Sequence, residues 1–303
     1  MAYLLFVLVC LIFGSNFKLM DDATQVFGPL AIALGRLWGG AFVLLPLVRA
    51  SRLSLRVDRR TLGWIVFVGA VGNAYPFAVQ PWILGHGTDH SFLAVFVPLT
   101  PLLTIAAAIP LLGVRPTWQQ AVGVLGGLAI LLWIVLREPA SHHFDLWLVP
   151  FAVSVPLTYA VANTMLRRQL QHISSLVVTT LVLLVAGLML LPLAAWEICT
   201  APPISDTQHW ASAVVALAIL GPLGTGLCIG MFIRLVQQRG PLFAGMVTYL
   251  VPIVALVWGY HDGEFIGNAQ LVGVAGILAM VALVQSSQAN YRQGDANPPR
   301  AQG

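Results

Sequence analysis

The sequence predicts an all-α membrane protein: ten transmembrane helices arranged as two inverted five-helix repeats. Three observations carry this prediction. Only 9 % of the 303 residues are charged, 58 % are hydrophobic, and the mean hydropathy is +0.87. Ten apolar stretches of about span length follow one another with short connections. A segment of the first half recurs in the second at an offset of 150 residues.

The composition sets the class. A soluble domain carries about 25 % charged residues, and a chain this poor in charge cannot cover a water-facing surface. That argues against a cytosolic enzyme, a nucleic-acid-binding module and a disordered chain. The pI of 9.3 reads as basic loops that fix orientation in a bilayer. Three scattered cysteines, Cys10, Cys199 and Cys228, form neither a disulfide framework nor a zinc motif.

A bilayer core needs about 20 mostly apolar residues per helix. By that ruler the spans fall near 3–20, 28–48, 62–84, 91–112, 117–136, 146–166, 175–196, 210–233, 241–259 and 268–285. The opening MAYLLFVLVCLIF lacks the basic start of a cleaved signal, so it is expected to stay as the first span. The first repeat is placed at 1–140 and the second at 141–287. Residues 288–303 are expected to form a disordered cytoplasmic tail.

Charge orients these spans. With the N-terminus inside, twelve of the fifteen cations fall on cytoplasmic segments: Arg49, Arg52, Arg56, Arg59, Arg60, Arg115, Arg167, Arg168, Arg234, Arg239, Arg292 and Arg300. Arg137 alone lies opposite, and Lys18 and Arg36 lie within spans. This is a strong positive-inside bias, and it places both termini in the cytoplasm. The acids Asp21, Asp22, Asp89, Glu138, Asp145, Glu197, Asp206, Asp262 and Glu264 fall outside.

QAVGVLGGLA at 120–129 and QLVGVAGILA at 270–279 agree at seven of ten positions. Nearby offsets align Gly69 with Gly221, Gly72 with Gly224 and Pro101 with Pro252. Spans three, four and five thus match eight, nine and ten. Five is odd, so the second half starts on the opposite side and is inverted. Inverted repeats place a substrate site near the midplane at their interface, reached by alternating access.

Polar groups in the spans mark the candidate site, because a charge at bilayer depth costs about 2.5–3.5 kcal/mol. Arg36 lies deep in the second span. It reads either as a helix tie, to backbone carbonyls or to Asp21 and Asp22, or as a cation facing a substrate anion. Lys18, Ser15 and Asn16 share the end of the first span, where Lys18 can also snorkel to the interface. Asn73, Tyr75, Gln80 and Trp82 lie in the third span between and beside Pro76 and Pro81. Thr100 and Thr104, and likewise Tyr159 and Asn163, share helix faces at i, i+4. Thr225 and Met231 in the eighth span and Thr248 and Tyr249 in the ninth complete the set. Pro98, Pro101 and Pro252 interrupt corresponding spans.

All seven histidines sit in loops or at helix ends, and no Asp or Glu lies well inside a span. That charge balance disfavours cationic drugs and points to anionic, zwitterionic or neutral substrates, with no proton coupling indicated beyond a loop carboxylate at the cavity mouth. Gly35/Gly39, Gly123/Gly127 and Gly226/Gly230 read as close-packing pairs. His142, His143 and Asp145 lack the further ligand that a metal site needs.

The stretches FGSNFKL at 13–19, GPLAIALGRLWGG at 28–40, FVPLTPLL at 96–103, LTYAVANTMLRR at 157–168 and TYLVPIVALVWG at 248–259, followed by Gly263-Glu264, resemble the EamA-like ten-helix branch of the drug/metabolite transporter superfamily. The family often carries Gly-Glu after the fourth span too, where this chain has Gly113-Val114-Arg115. The resemblance implies a central cavity lined by helices 1, 3, 4, 6, 8 and 9, and export or exchange of small metabolites, amino acids among them. The expected setting is a plasma (inner) membrane, with a small-molecule substrate and the lipid bilayer as partners. No cofactor and no nucleic acid are expected, and the carrier works as a monomer or homodimer. A sugar-phosphate or nucleotide-sugar carrier is the related alternative. A membrane-embedded enzyme lacks a catalytic constellation in this sequence.

Overall fold

The computed structural model describes residues 2–112, 118–137, 145–201, 208–232, 235 and 247–295. Among them every regular element is helical. The helices are α1 (Ala2–Thr24), α2 (Pro29–Ala50), α3 (Arg59–Leu84), α4 (His90–Ala94), α5 (Leu99–Leu112) and α6 (Trp118–Arg137). After a 3-10 turn at Leu146–Leu148 come α7 (Val149–Gln169), α8 (Ser175–Thr200), α9 (Trp210–Phe232), α10 (Val247–His261) and α11 (Asn268–Asp295). Six helical segments are long and apolar enough to cross a membrane: Tyr3–Thr24, Pro29–Ala50, Arg59–Leu84, Leu146–Leu166, Ser175–Thr200 and Trp210–Phe232. Four shorter apolar stretches, His90–Thr104, Ala121–Ile134, Val247–His261 and Asn268–Met280, accompany them.

Local chemistry sets the helix ends. Asp58 accepts the backbone N–H groups of Arg60 and Thr61 at the start of α3, supplying acceptors to otherwise orphaned donors. Pro29 opens α2, where its missing N–H costs nothing. Glu197, near the end of α8, reaches the other end of that helix's neighbour and accepts from Leu30 N (3.4 Å) and Ala31 N (2.9 Å). Gly28 leaves room for this carboxylate, which a Cβ there would strike.

Two spans are not plain α-helices. α3 contains a π-helical segment at Ala70–Ala74 and α9 one at Leu220–Leu227. Each lies at the aligned glycine pair of its half: Gly69 immediately precedes the first segment and Gly72 lies within it, and Gly221 and Gly224 both lie within the second. Pro76 and Pro222 each lack an N–H, so the regular i→i−4 ladder cannot be completed there, and wider i→i+5 turns take up the slack. The sequence pointed to proline-freed carbonyls but not to this local winding.

In lipid, helices associate through close packing rather than hydrophobic burial, and small residues permit it. α2 packs on α8 and on the π segment of α9, α1 on α9 and α10, α3 on α7 and α8, α5 on α7, and α6 on α11. At the α2–α9 contact a Cβ on Gly221 would sit 2.7 Å from the carbonyl oxygen of Gly35, and one on Gly226 would sit 2.7 Å from that of Gly40. Backbone here meets backbone. In α11, Gln270 is fully buried; the side chain of its repeat counterpart Gln120 lies outside the described set.

α11 continues to Asp295. The expected disordered tail from 288 is corrected to that extent: Gln, Ala and Arg are good helix formers, and proline first reappears at Pro298. Segments 113–117 and 138–144, with Arg115, His142 and His143, lie outside the described residues, as do Arg234 and Arg239.

Candidate functional site

The site is built where α1, α2 and the π segment of α9 converge. Arg36, only 5 % exposed, projects from the middle of α2. Its Nε donates to Thr225 Oγ1 at a long 3.5 Å, its Nη1 lies 3.4 Å from Met20 Sδ, and its guanidinium carbon stands 4.0 Å above the Phe77 ring. Thr225 Oγ1 donates in turn to the Leu220 carbonyl within the π segment (3.1 Å). Beside it, Asn16 Nδ2 donates to the Gly224 carbonyl (2.9 Å), while Asn16 Oδ1 is buried without a hydrogen-bond partner.

Among the described residues Arg36 makes no tie to Asp21, Asp22 or a backbone carbonyl. Among the described residues no carboxylate lies within ion-pair distance of Arg36. Instead, a guanidinium with five N–H donors meets a hydroxyl, a thioether and an aromatic face.

A narrow cavity of about 20 Å³ lies between α3, the α4–α5 region and α7, lined by Gln80, Leu93, Phe96, Val97, Ala152, Val155, Pro156 and Tyr159. That is room for about one water. Tyr159, one of the lining residues, also lies within electrostatic range of Arg36. Gln80 is 7 % exposed.

The other expected site residues are dispersed. Ser15 accepts from Trp258 Nε1 (2.8 Å) and so ties α1 to α10. Asn73 Nδ2 donates to the Val68 carbonyl within its own helix (3.4 Å). Tyr75 and Ser154 share a 2.7 Å hydroxyl bond between α3 and α7. Trp82 belongs to an aromatic group with His86, Trp147 and Phe151, at centroid distances of 4.5, 5.5 and 5.0 Å. Thr104 donates to the Thr100 carbonyl one turn back (2.7 Å). Met231 and Tyr249 are partly buried against the main core, and Thr248 is half-buried. Asn163 is exposed although Tyr159 lines the cavity. A shared i, i+4 face still drifts by about 40° and climbs about 6 Å, which separates them.

Lys18 is placed elsewhere. Its Nζ lies 2.6 Å from Asp22 and 3.1 Å from Asp262, within a polar cluster that sequence reasoning did not assemble. At its centre is His90, the first residue of α4 and 1 % exposed. Its Nδ1 is 2.6 Å from Glu264 Oε1 and 3.9 Å from Asp21 Oδ2, and its Nε2 is 3.7 Å from Asp262 Oδ2. Glu264 also accepts the backbone N–H groups of His90 (2.9 Å) and Ser91 (3.2 Å). Burial pushes the Glu264 carboxyl up, but these hydrogen bonds and the His90 charge outweigh it and hold the group below the usual glutamate range. The available signals were the Asp21-Asp22 pair and the Gly263-Glu264 motif. His90 does sit at a helix end, and α1 and α10 cover it.

Comparison with known proteins agrees with this architecture. One solved crystal structure superposes with a TM-score of 0.62 at 19 % identity, covering 93 % of this chain and 95 % of that one; at that identity the likeness is one of fold. No curated protein matches the chain. The EamA-like transporter family model matches residues 1–136 and again 146–286, one match for each half in which the repeat was found. A multi-pass helical protein with two such matches, spanning nearly its whole length, belongs to the EamA-like transporter family.

Proposed function

We propose that the chain exports small carboxylate-bearing metabolites, amino acids or their relatives, by alternating access between two inverted five-helix halves of ten spans in all. Arg36 receives the substrate carboxylate. The observation that carries this reading is a buried guanidinium with no carboxylate partner among the described residues. Such a charge is costly at membrane depth and marks a ligand pathway by default. A planar fork of donors suits a carboxylate in bidentate fashion.

The two-repeat arrangement is supported by the packing, and the inversion by the odd number of spans in each half. Exchanging the halves turns the α1–α10 contact into α7–α5, α2–α9 into α8–α3, and α1–α9 into α7–α3, while α2–α8 and α6–α11 map onto themselves. All of these contacts occur, and the two π segments exchange as well. A cavity of about 20 Å³ is far below the roughly 300 Å³ at which ligand pockets begin. Admitting substrate to the space beside Tyr159 therefore requires the halves to rock apart. The arginine distribution supports an orientation with both termini in the cytoplasm, and we place the carrier in the plasma membrane.

A nucleotide-sugar or sugar-phosphate substrate fits less well. Lys18 is committed to Asp22 and Asp262, which leaves a multiply charged phosphate one guanidinium to offset it. The test is efflux from preloaded proteoliposomes, preceded by a thermal-shift screen of amino acids, organic acids and sugar phosphates. Stabilisation and efflux of a monocarboxylate class are expected. No flux of any amino acid or organic acid would refute the reading.

A further inference from the structure

The His90 cluster lies apart from Arg36 and has its own logic. Both ring nitrogens face carboxylate oxygens: Nδ1 faces Glu264 and Asp21, and Nε2 faces Asp262. A neutral imidazole has one donor and one acceptor nitrogen; only the imidazolium donates from both. In the neutral ring one lone pair would therefore point at carboxylate oxygens. Neither nitrogen completes an aligned hydrogen bond in this arrangement, although the ring is 1 % exposed.

The surrounding charges come from every element packed on α4. α1 supplies Lys18, Asp21 and Asp22; the end of α10 and the turn after it supply His261, Asp262 and Glu264; Asp89 precedes the ring in its own segment. His261 is 80 % exposed and 3.9 Å from Asp262, so water screens it. Lys18 is the single lysine among four nearby carboxylates. With a neutral ring the acids of α1 and of the α10–α11 turn, two separate chain segments, face one another without a central cation; with a charged ring they share one.

We propose that His90 is a proton-binding site that latches the outer end of the carrier: the doubly protonated ring holds α1, α4 and the α10–α11 turn together, and loss of its proton to external water frees them. The proposal rests on the orientation given under Proposed function and makes the proton the external ligand of the transport cycle. Acid outside closes the latch, and alkali opens it.

The test is thiol protection in the full chain carrying Thr88→Cys. Thr88 is 3 % exposed and two residues before His90, and the native Cys199 is exposed and serves as an internal reference for the reagent. The labelling rate of the introduced thiol by a membrane-impermeant maleimide is divided by that of Cys199 from about pH 5 to about pH 8, the range in which histidine changes charge. The ratio is expected to rise several-fold with pH and to become flat in the added presence of His90→Gln. Should that variant fail to fold, Asp262→Asn is expected to move the midpoint to lower pH by removing one attracting carboxylate. A flat ratio without His90→Gln, an undiminished rise with it, or an unmoved midpoint in Asp262→Asn would overturn the latch. Efflux from proteoliposomes is measured in parallel: flux with a flat labelling ratio sinks the latch alone, and a titrating ratio without flux sinks the transport reading alone.

Discussion

Replacing Arg36 by methionine separates a binding residue from a structural one. Methionine fills a similar apolar volume and carries no charge. Holding a guanidinium at this depth costs about 2.5–3.5 kcal/mol on insertion scales. Against that stand a long hydroxyl bond, a thioether contact and a ring face. A typical hydrogen bond contributes about 0.5–1.5 kcal/mol and a cation–π contact about 0.5–2 kcal/mol. The two sides nearly cancel, so Arg36→Met is expected to leave the melting temperature within about 4 °C, since 1 kcal/mol moves a chain of this size by roughly 2–4 °C. The substrate loses a charge-assisted pair worth about 3 kcal/mol, or roughly a hundredfold in Kd at 1.4 kcal/mol per decade. Arg36→Lys keeps the charge without the planar fork and should fall between. Melting in detergent and efflux per folded molecule from proteoliposomes check both numbers. Destabilisation by about 3–5 kcal/mol, the signature of a broken buried ion pair, with efflux per folded molecule unchanged, would refute the reasoning.

Three further outcomes follow from the packing and the caps. Gly226→Ala places a methyl 2.7 Å from the Gly40 carbonyl oxygen and 2.8 Å from its Cα; backbone cannot yield as a side chain can, so thermal melts should show a loss of about 1–3 kcal/mol, whereas Gly63→Ala, with nothing within 4 Å, should be neutral or stabilising. Glu197→Ala removes the carboxylate that accepts from Leu30 and Ala31 and should cost about 1 kcal/mol, the usual worth of an N-terminal cap, in the same assay. Glu264 has its folded pKa depressed, so its stabilisation is present above the ordinary glutamate value of about 4.3 and is lost as pH falls through the lower folded value. Melting temperatures of the unsubstituted protein should drop in that acid window, and those of Glu264→Gln should start lower near neutrality and change less across it.

The helical class, the two halves and the glycines that let α2 meet α9 were legible because they are written in local pattern: composition, span length and a repeat with shared Gly and Gln. Arg36 was legible because a lone charge in an apolar run is conspicuous. Its surroundings were not, since Thr225, Met20 and Phe77 reach it from three other helices and no spacing in the chain encodes that meeting. Asn163 is exposed while Tyr159, four residues before it, lines the cavity, because helical spacing alone does not say where a cavity ends. The π segments escaped because they arise from a ladder that proline interrupts, which a periodicity of 3.6 cannot register. His90 escaped because its position at a helix end suggested water, while its burial depends on Asp21, Asp262 and Glu264, up to 174 residues away.

The two halves are alike in fold and unlike in charge, and that difference bears on the cycle. After α10 the chain carries Gly263-Glu264, whose carboxylate caps α4 and meets His90. At the corresponding place after α5 the sequence is Gly113-Val114-Arg115, with no carboxylate to offer. A pseudo-symmetric carrier needs two closures that alternate, and equal closures would respond equally to conditions on either side. Here one closure is built on an acid–imidazole cluster and the other has lost the acid that would match it. Under the proposed latch the outer closure takes up its proton at His90, so acidity on that side biases which way the pocket faces. A ligand with no differential affinity for two states cannot shift their balance. Under that proposal acidity outside favours one of the two conformations, and Gly113-Val114-Arg115 after α5 offers no matching glutamate on the other side.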